Sequence, residues 1–484
     1  MRGLASREVG ALKKDWGGKA SIALVFPNTY RVGMGNLAVH SIYSILNARS
    51  AVVCERAFMP HPSELREHIL SRTPVLSVES QRPLAEFDVV ALSLSFENDY
   101  LNLPEIFGLS KIPLRAADRR PDQPLVIAGG AAPTLNPLPL ALVADAILPG
   151  EFEAFADRVA PILEEGLPGR EALVELGKVP GVIVGAPGAP AERMRAGDLD
   201  SFKTQTAIYS REAEFGDMHL IEVERGCRHR CRFCATPAIY GEPRRRSASA
   251  VLRMVDEGLA HRRKFGLIGA DILSHPDFEE IAEGILDRGG SFSPSSVRVD
   301  AMDARKAELL RRAGHRSLAL GIEAGSEALR RTLGKGLSDR RILESVEALA
   351  VCGITRLRLY FMTGLPGETD ADVAAIASIA LRIRDLMRAA APRSSRATAV
   401  DLTVTPFVPK PDTPFAGRPF AGEAEIKRRF RALKATLSRE PGVAMRTDSA
   451  LQAAIEHRLA NSGPEAVRFL EESRERSARA AMRG

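Results

Sequence analysis

The amino-acid sequence predicts an α/β protein with a doubly wound parallel sheet at its N-terminus, a partial (β/α)6 barrel after it, and a small helical extension at the end. Two observations predict this fold class. Short apolar runs alternate with helix-length segments along most of the 484 residues, as they do in proteins with parallel sheets. A stretch rich in glycine and proline at residues 180–190 interrupts the alternation, which is typical of a connection between domains.

The first domain is predicted at residues 1–165 and contains apolar runs that are expected to be parallel strands. These runs lie at residues 21–27, 52–56, 88–95, 125–130 and 144–151. A helix is predicted at residues 37–46. Ligands of doubly wound sheets bind beyond the carboxyl ends of the strands. Residues 27–30, 93–95 and 129–130 fall at such ends, so a ligand is expected there.

Residues 166–216 are predicted to form an irregular connector, and residues 217–415 the barrel. Strands are expected in the barrel at residues 218–223, 266–271, 296–300, 317–325, 356–364 and 399–405. The segments between them have the length of helices, and six such units suggest an open barrel of the TIM type. Reactive groups in such barrels lie at the carboxyl ends of the strands. Chemistry is therefore expected in the loops that follow the strands.

Beyond the barrel, residues 416–484 are predicted to form a helical extension. Amphipathic helices are expected at residues 423–437, 449–459 and 464–480. We expect them to pack on the open side of the barrel, after an extended segment rich in proline.

Three of the five cysteines stand close together, at Cys227, Cys231 and Cys234, with the spacing C-x3-C-x2-C. They follow the first predicted strand of the barrel, so they lie on a loop at its carboxyl end. Three thiolates can hold three irons of an iron–sulfur cube and leave the fourth iron open for chemistry. A zinc site would need a fourth ligand, for which His229 and His219 are the nearest candidates. A redox pair of Cys231 and Cys234 would leave Cys227 without a role.

This motif, with Phe233 directly before the last cysteine, resembles that of the radical S-adenosylmethionine (radical SAM) superfamily. The resemblance implies that the three cysteines hold a [4Fe–4S] cluster whose open iron binds S-adenosylmethionine (SAM). Cleavage of SAM would give methionine and a 5′-deoxyadenosyl radical that abstracts hydrogen. The resemblance also implies that Phe233 lies beside the adenine. An external electron donor, such as a flavodoxin or a ferredoxin, is the implied protein partner.

Further strand ends resemble SAM-binding positions of the same superfamily. The residues concerned are Gly269, Ala270, Asp271, Glu323, Ser326 and Gly364. The first three follow the second barrel strand, where relatives contact the amino group of SAM. Glu323 and Ser326 follow the fourth strand, where relatives bind the ribose, and Gly364 follows the fifth, beside the adenine. Carboxylates suit these roles because they accept hydrogen bonds from ammonium and diol groups. For Lys335 the sequence leaves two interpretations: a contact with the methionine carboxylate of SAM or, as the favoured one, a solvated lysine at a helix end.

The first domain resembles the flavodoxin-like domain that precedes the barrel in cobalamin-binding radical SAM proteins, in particular an iron–sulfur oxidoreductase branch of them. The likeness lies in residues 26–37 and 128–137. It implies that the nucleotide tail of a corrin passes small residues between sheet and helix, namely Ser93, Ser95, Gly129 and Gly130. The sequence has no D-x-H-x-x-G motif, so no histidine ligand to cobalt is implied. The alternative is a domain that shapes the substrate cleft.

Composition and charge limit the class of protein. A net charge of +6 and a pI near 9.1 permit an anionic ligand without indicating nucleic acid. One tryptophan and six tyrosines offer few stacking platforms. No run of about 18 uncharged apolar residues is present, and the N-terminus lacks the apolar core of a signal peptide, so no membrane span is expected. Five cysteines, an odd number, fit a reducing compartment, and the cytoplasm is the expected location.

Together these features predict a radical SAM enzyme of methyltransferase or oxidoreductase type, with cobalamin-dependent methylation of carbon as the leading hypothesis. Three alternatives stand beside it: a radical SAM enzyme without cobalamin, a methylthiotransferase-like enzyme acting on RNA or protein, and a non-catalytic sensor that binds the cluster or cobalamin. A methylthiotransferase would need a second cluster, for which Cys54 and Cys352 alone remain. The sequence identifies neither the substrate, the hydrogen abstracted, a catalytic side chain nor the oligomeric state.

Overall fold

The computed structural model describes residues 2–167, 169–185, 192–295, 297–392 and 398–483. The chain folds as two units. The first consists of Met1–Asp217 and Arg458–Gly484, and the second of Met218–His457. Both are built on parallel strands with helices between them, so the predicted α/β class is confirmed.

The first unit is built on one sheet. Its strands among the described residues are β1 (Ala20–Thr29), β2 (Val52–Met59), β3 (Val89–Ser93), β4 (Leu125–Gly129), β5 (Ala146–Leu148) and β6 (Ile183–Val184). Their spatial order is β2-β1-β3-β4-β5-β6, and all are parallel except β6, which runs antiparallel to β5. The order of the first five is the flavodoxin-like order of doubly wound sheets. The predicted doubly wound sheet is therefore confirmed.

Helices flank this sheet. They are α1 (Arg2–Ala5), α2 (Tyr30–Gly33), α3 (Leu37–Asn47), α4 (Pro62–Ser71), α5 (Leu103–Leu109), α6 (Ala131–Leu135), α7 (Phe152–Glu164), α8 (Gly169–Leu176) and, from the end of the chain, α18 (Ala466–Arg483). α3 begins at Leu37 because the side chain of Asn36 accepts a hydrogen bond from the N–H of Ala38. Tyr43 of α3 and Phe155 of α7 are buried in one core with the strands. α8 and β6 come from the segment that was expected to be an irregular connector.

α18 packs on the first unit, although it is the last helix of the chain. It lies against α4 and α5, and Glu471 forms an ion pair with Arg115 at 2.6 Å. Val467 and Leu470 are buried, so its apolar side is covered. The expectation that the C-terminal helices pack on the open side of the barrel is therefore wrong for α18. An amphipathic pattern shows that a helix has an apolar face, but not which surface will cover it.

His40 on α3 has both ring nitrogens engaged by the backbone. Nε2 lies 3.1 Å from the carbonyl oxygen of Met34, and Nδ1 accepts hydrogen bonds from the N–H groups of Ala207 and Ile208 at 3.2 and 3.3 Å. Burial lowers the pKa of His40 to about 4. The neutral imidazole is therefore part of the scaffold of the first unit.

The second unit carries its strands in two parallel sheets and one short antiparallel pair. The strands are β7 (His219–Glu222), β8 (Glu224–Arg225), β9 (Arg244–Arg245), β10 (Lys264–Ile268), β11 (Ser291–Pro294), β12 (Val297–Arg298), β13 (Ser317–Glu323), β14 (Arg356–Thr363), β15 (Ala399–Pro406) and β16 (Val443–Thr447). One sheet has the order β11-β10-β7, the other runs from β12 to β16 in chain order, and β8 pairs with β9. The predicted parallel strand–helix units of a partial barrel are present from β7 to β15.

The third barrel strand begins earlier than predicted and is interrupted. β11 pairs with β10, whereas β12 pairs with β13. Pro294, at the end of β11, has no N–H with which to continue the ladder. Val299–Ala301 is a 3-10 turn, so the strand predicted at residues 296–300 is wrong in its bounds, and residue 296 itself lies outside the described residues.

The helices of the second unit alternate with its strands. They are α9 (Thr236–Tyr240), α10 (Ala248–Gly258), α11 (Phe278–Asp287), α12 (Ala304–Arg312), α13 (Glu327–Thr332), α14 (Asp339–Val351), α15 (Asp370–Ala390), α16 (Glu423–Leu437) and α17 (Ala450–Ala460), which crosses the boundary at His457. β16 adds a strand parallel to β15 within the predicted helical extension. The sequence does not indicate this strand, because two large apolar side chains, Val443 and Met445, are too few to give a clear alternating pattern.

β14 shows how the barrel sheet divides its two faces. Leu357, Leu359 and Phe361 are buried in a core shared with α14 and α15, because side chains alternate along a strand. Tyr360 and Met362 lie on the other face and are half-buried. The side chains on that face are therefore less completely covered than those in the core. In the part of the chain that the structure describes, no helix combines the length and apolarity needed to cross a membrane.

The low pKa of His40 makes the stability of the first unit sensitive to acid. Its pKa is about 6.5 in an unfolded chain and about 4 in the folded unit. The folded state thus favours the neutral ring, whose stabilisation is complete above about pH 6.5 and is lost as the pH falls towards 4. We expect the urea midpoint to fall over this range, and to fall less in His40→Gln.

Fluorescence of Trp16 measures this transition, because it is the one tryptophan of the sequence and contacts Phe87 in the first unit. His61→Gln, at an exposed position, is the control and should keep the wild-type slope against pH. Equal slopes in wild type and His40→Gln would contradict the prediction.

Candidate active site

Gly226 ends the short pairing of β8 and turns the chain into the cysteine loop. Its φ of +83° favours glycine, and a Cβ at this position would lie 2.5 Å from the carbonyl oxygen of Glu242. Further along the loop, the N–H of Arg232 donates a hydrogen bond to the carbonyl oxygen of Leu333 at 2.8 Å. The loop is thus held by backbone contacts just after β7 and β8, where the sequence predicts it.

Cys227, Cys231 and Cys234 are free thiols, of which Cys231 is buried and the others are half-buried. Burial raises the pKa of Cys227 and of Cys231, and the charge of neighbouring thiolates raises both further. Lys335 and Arg298 lower the pKa of Cys231, and Arg298 Nη1 lies 3.9 Å from its Sγ. Neighbouring thiolates therefore disfavour one another's charge at Cys227 and Cys231, and two cations stabilise the anionic form of Cys231.

This donor set fits a [4Fe–4S] cluster. Each thiolate of such a cluster binds a different iron, so the sulfurs surround a cube and do not converge on one ion. Among the described residues, no group of three or more histidine, cysteine, aspartate and glutamate side chains is placed to hold a single metal ion. The residues that would hold the cluster are Cys227, Cys231 and Cys234.

Asp271 lies beside the cysteine loop and is 3% exposed. Its Oδ2 is 2.7 Å from His229 Nε2 and 3.7 Å from Arg228 Nε. Its N–H donates a hydrogen bond to Glu224 Oε1 at 2.5 Å. Asp271 Oδ1 is buried without a hydrogen-bond partner, which is unfavourable unless a ligand donates to it. The carboxylate predicted to bind the amino group of SAM is therefore next to the cysteines, with one acceptor oxygen unused.

Gly269 and Ala270 form the turn after β10 and are half-buried. The N–H of Gly269 donates to Ser295 Oγ at 3.3 Å, and that hydroxyl donates back to the Gly269 carbonyl oxygen at 3.0 Å. A Cβ at Gly269 would lie 2.5 Å from side-chain atoms of Glu224 and Ile272. Glycine is needed here for packing on Glu224. A contact of Gly269 and Ala270 with SAM stays a prediction.

Glu323 stands at the carboxyl end of β13 with a φ of +76°, at an irregularity in the pairing with β14. Non-glycine residues adopt this conformation at a cost, and such residues cluster at functional sites. Glu323 Oε1 pairs with Lys335 Nζ at 2.8 Å. Lys335 is 8% exposed and also interacts with Cys231. The expectation of a solvated lysine is therefore wrong, because the loop between α13 and α14 folds this side chain inward.

Ser326 uses its hydroxyl within the fold. It caps α13 by accepting a hydrogen bond from the N–H of Leu329 at 3.1 Å, and it donates one to Asp372. A capping serine at this position explains where α13 begins. Its predicted contact with the ribose stays a prediction.

Phe233 and Gly364 are the residues predicted to lie beside the adenine. Phe233 belongs to the cysteine loop, and Gly364 directly follows β14. Phe233 packs on an apolar cluster that includes Leu333 and Leu365. Gly364 has a φ of +87°, and its N–H donates to Glu368 Oε2 at 2.6 Å. The turn after β14 is thus fixed by a buried carboxylate. An apolar surface and a glycine backbone suit a planar base, as the resemblance implies.

Two charged residues at this site, Arg298 and Glu224, are not among the residues predicted from the sequence, and a third, Lys335, was expected in solvent. Arg298 pairs with Asp300 at 2.8 Å and contacts Cys231, Lys335 pairs with Glu323, and Glu224 accepts from the backbone of Asp271. Arg298 ends β12, and a charged residue at the end of a barrel strand is a signal that could have been used. No pattern in the sequence indicates the burial of Lys335.

In the first unit, the residues predicted to line the corrin tail share one edge of the sheet. They are Ser93, Ser95, Gly129 and Gly130, and the first and third are register partners on β3 and β4. The N–H of Leu94 donates to the Gly129 carbonyl oxygen at 2.8 Å. Gly130 has a φ of +116°, and a Cβ there would lie 2.3 Å from the Leu94 carbonyl oxygen. Ser95 Oγ accepts a hydrogen bond from Asn36 Nδ2 at 2.9 Å.

Polar groups stand at the same edge of the first unit. Asp99 Oδ1 accepts a hydrogen bond from Asn28 Nδ2 at 2.8 Å, and burial raises the pKa of Asp99 to about 6. The hydroxyl of Tyr100 is buried and has no hydrogen-bond partner. Asn28 and Asp99 are partners of each other, so the Tyr100 hydroxyl is the group here to which a polar ligand such as a corrin would supply a partner, and in this respect the residues fit cobalamin.

Two family models match the chain. The model of radical SAM proteins, N-terminal, matches residues 38–185, and that of the radical SAM superfamily matches residues 221–380. The second match contains the cysteine loop and the strand ends described above. The chain belongs to the radical SAM superfamily and is a radical SAM enzyme.

Curated relatives match the whole chain or parts of it. An uncharacterised protein of Methanocaldococcus jannaschii is 26% identical over 429 residues, covering 87% of this chain and 84% of that protein. A bacteriochlorophyllide d C-12(1)-methyltransferase of Chlorobaculum tepidum is 24% identical over 267 residues, covering 53% and 54%. A putative methylthiotransferase of Methanocaldococcus jannaschii is 25% identical over 166 residues, covering 31% and 36%. The match to the methylthiotransferase therefore involves about a third of each chain.

Two solved structures share the fold over nearly the whole chain. The radical SAM methyltransferase TsrM of Kitasatospora setae, solved with cobalamin and a [4Fe–4S] cluster, has a TM-score of 0.60 at 15% identity and covers 96% of this chain and 100% of that one. The cobalamin-dependent SAM radical enzyme OxsB, solved with aqua-cobalamin and SAM, has a TM-score of 0.56 at 13% identity and covers 96% and 72%. At these identities the likeness concerns the fold, and it confirms the predicted fold class.

Removing the carboxylate of Glu323 tests its predicted contact with SAM. We expect Glu323→Ala to weaken SAM binding by about 1–3 kcal/mol, the usual scale for a charge-assisted hydrogen bond. Equilibrium dialysis with the anaerobically reconstituted protein measures the Kd.

Asp401→Ala is the matched control for this variant. Asp401 pairs with Arg356 at 2.5 Å near the opposite end of the same sheet. Its loss should change the Kd for SAM by less than about twofold, as is usual for partly exposed positions away from a site. Equal effects of the two substitutions would contradict a direct role of Glu323.

Proposed function

We propose that the chain is a cobalamin-dependent radical SAM enzyme that methylates a carbon atom of its substrate. One observation carries the radical SAM part of the proposal. Cys227, Cys231 and Cys234 lie as free thiols on one loop, beside two cations and a buried carboxylate with an unused oxygen. Three thiolates leave one iron of a cube without a protein ligand, and that iron is where SAM binds in this superfamily.

A [4Fe–4S] cluster held by these cysteines would supply the electron that cleaves SAM to methionine and a 5′-deoxyadenosyl radical. The protein's own residues bind and orient SAM for this reaction. Asp271 Oδ1 accepts a hydrogen bond from the ammonium group, and Glu323 accepts from the ribose hydroxyls. Phe233 and the backbone at Gly364 contact the adenine. Arg298 and Lys335 stabilise the thiolate of Cys231 through their positive charge.

The edge of the first unit supports cobalamin as the second cofactor, and bound methylcobalamin supplies a methyl group. Ser93 and Gly129 are small, and a Cβ at Gly129 would meet ordinary contacts alone, the nearest at 3.6 Å from the Leu148 carbonyl oxygen. Asn28 and Tyr100 offer polar groups at the same edge. His40 is committed to backbone hydrogen bonds, so we propose that cobalt receives no imidazole from it. TsrM and OxsB, which share the fold, were solved with cobalamin.

The alternatives have less support. A methylthiotransferase needs cysteines for a second cluster, but Cys54 is buried in β2 and Cys352 ends α14. A radical SAM enzyme without cobalamin would use the first unit to shape a substrate cleft. A non-catalytic sensor would keep the cysteine loop but cleave no SAM. The two experiments below separate these alternatives from the proposal.

The first experiment concerns the cluster. Anaerobically reconstituted wild type should hold about four irons per chain, the content of a cube. Cys227→Ala, Cys231→Ala and Cys234→Ala should each lose the cluster, because every thiolate binds its own iron. Cys54→Ala and Cys352→Ala are the matched controls and should keep it. Iron analysis and the absorption spectrum measure the outcome, and a full cluster in any of the first three variants would overturn the assignment.

The second experiment concerns catalysis and cobalamin. With dithionite as reductant, the loaded enzyme should convert SAM to 5′-deoxyadenosine, which chromatography detects and a sensor would not produce. After incubation with hydroxocobalamin and desalting, the protein should retain the corrin absorption. Gly129→Val should lose the corrin and keep the iron, since a Cβ at Gly129 is tolerated, 3.6 Å from the Leu148 carbonyl oxygen, and the added side chain would take up space at the proposed corrin site. Loss of corrin absorption from the wild type on desalting would leave a radical SAM enzyme without cobalamin.

A further inference from the structure

The sheet that runs from β12 to β16 carries polar side chains on the face opposite its helices, here called the polar face. Its other face is buried in a core with α14 and α15, and side chains alternate between the two faces along each strand. Arg358 and Tyr360 of β14, Thr403 of β15 and Arg446 of β16 lie on the polar face. Arg358 and Arg446 are exposed, and Tyr360 and Thr403 are half-buried.

The strand register brings three of these side chains into one row. Tyr360 is the register partner of Thr403, and Thr403 is the partner of Arg446. Neighbouring strands lie about 4.8 Å apart, so Thr403 has Tyr360 on one side and Arg446 on the other. Arg358, two residues before Tyr360, is a diagonal neighbour of Thr403. Diagonal neighbours lie about 7–8 Å apart, within reach of a long side chain.

The hydrogen-bond donors around Thr403 are available to a ligand. Among the described residues, none of these four side chains has a hydrogen-bond or ion-pair partner. Asp401, two residues before Thr403, is already paired with Arg356 through both carboxylate oxygens, at 2.5 and 3.2 Å. Asp448, two residues after Arg446, is exposed, where salt screens its charge. The two unpaired arginines therefore favour an anion above Thr403.

The same row continues to the predicted SAM site. Tyr360 is also the register partner of Gly321. A Cβ at Gly321 would lie 2.6 Å from Glu323 Oε1 and 3.3 Å from Lys335 Nζ, so the ion pair of these two residues lies over Gly321 on the polar face. Gly321 is two strands away from Thr403, a distance of about 10 Å. A small molecule of about this length therefore reaches from Thr403 to the carboxylate predicted to bind the ribose.

We propose that this row binds the substrate, and that the substrate is a small molecule with an oxyanion, either a carboxylate or a phosphate, at the end away from the reacting carbon. The inference rests on the proposed function, because it assumes that SAM is cleaved beside Glu323. Arg358 and Arg446 pair with the oxyanion, and the hydroxyl of Thr403 donates a hydrogen bond to it. The forked guanidinium matches the geometry of such groups. Tyr360 contacts the body of the molecule, between its charged end and SAM.

Charge and burial separate this class of substrate from others. The two arginines would repel a cationic molecule, and a neutral molecule would gain nothing from their charge. Nucleic acid is another source of phosphate groups. However, Tyr360 and Thr403 are half-buried, which suits a molecule small enough to lie on the sheet.

The test measures binding of phenylacetate, phenyl phosphate and the neutral phenylacetamide to the cluster-loaded full chain with SAM, by isothermal titration calorimetry without reductant. At least one anion should bind about tenfold more tightly than the amide, and the tighter anion identifies the oxyanion. The double variant Arg358→Gln/Arg446→Gln should raise the Kd of that anion at least about tenfold, because each arginine contributes a charge-assisted hydrogen bond. Its Kd should then be close to that of phenylacetamide.

Arg340→Gln is the matched control. Arg340 lies on α14, on the other side of the sheet, and its side chain is 86% exposed, so this variant should bind the anion like wild type. An unchanged Kd in the double variant overturns the proposal, as does equal weakening by Arg340→Gln or equal affinity of the amide and both anions. An oligoribonucleotide that binds and displaces phenyl phosphate overturns it in favour of nucleic acid. If the double variant loses iron, Arg446→Gln alone, on the edge strand β16, carries the same comparison.

Failure of this inference differs from failure of the proposed function. A wild-type chain that binds no cluster, or makes no 5′-deoxyadenosine with dithionite, refutes the proposed function whatever its affinity for the probes. A chain that does both, but binds the anions equally with and without these arginines, refutes only the oxyanion site.

Discussion

The site of the second unit depends on three cysteines that lie on one loop after a strand and remain free thiols, with no disulfide between them. Thiols so placed resist ionisation, because burial and neighbouring negative charge both raise the pKa of Cys227 and Cys231. Arg298 and Lys335 offset this by lowering the pKa of Cys231. These groups are distant in the sequence and become neighbours because parallel strands of a barrel end at one edge. The barrel therefore determines the electrostatics of the loop as well as its position.

The first unit uses the same geometry with different chemistry. Its strand ends offer amide and hydroxyl groups, such as Asn28 and Tyr100, and a close approach of backbones at Gly130. A large, amide-rich and weakly charged ligand suits such an edge, whereas the charged edge of the second unit suits a cluster and a zwitterion. Two sheets with parallel strands thus differ in what they can bind because of a few residues after each strand.

The sequence predicts those parts of the structure that depend on local pattern. The strands β1, β3 and β4, the helix α16 and the loop of Cys227 all follow from periodicity or a short motif, and the structure has them. The burial of Lys335, the break at Pro294 and the place of α18 depend on contacts between distant segments, which one sequence does not display. Glu323 lies between these cases. Its position after a strand indicated a site, but its left-handed backbone and its partner are visible in the structure alone.

The two carboxylates predicted to bind SAM each have a cationic or hydrogen-bonding partner from the protein. Asp271 contacts His229 through Oδ2, and Glu323 contacts Lys335 through Oε1. With one oxygen held by the protein, each carboxylate is oriented before SAM arrives, and binding need not immobilise it. Because the same partners also contact or adjoin the cysteine loop, the groups that orient SAM and the groups that hold the cluster form one connected network.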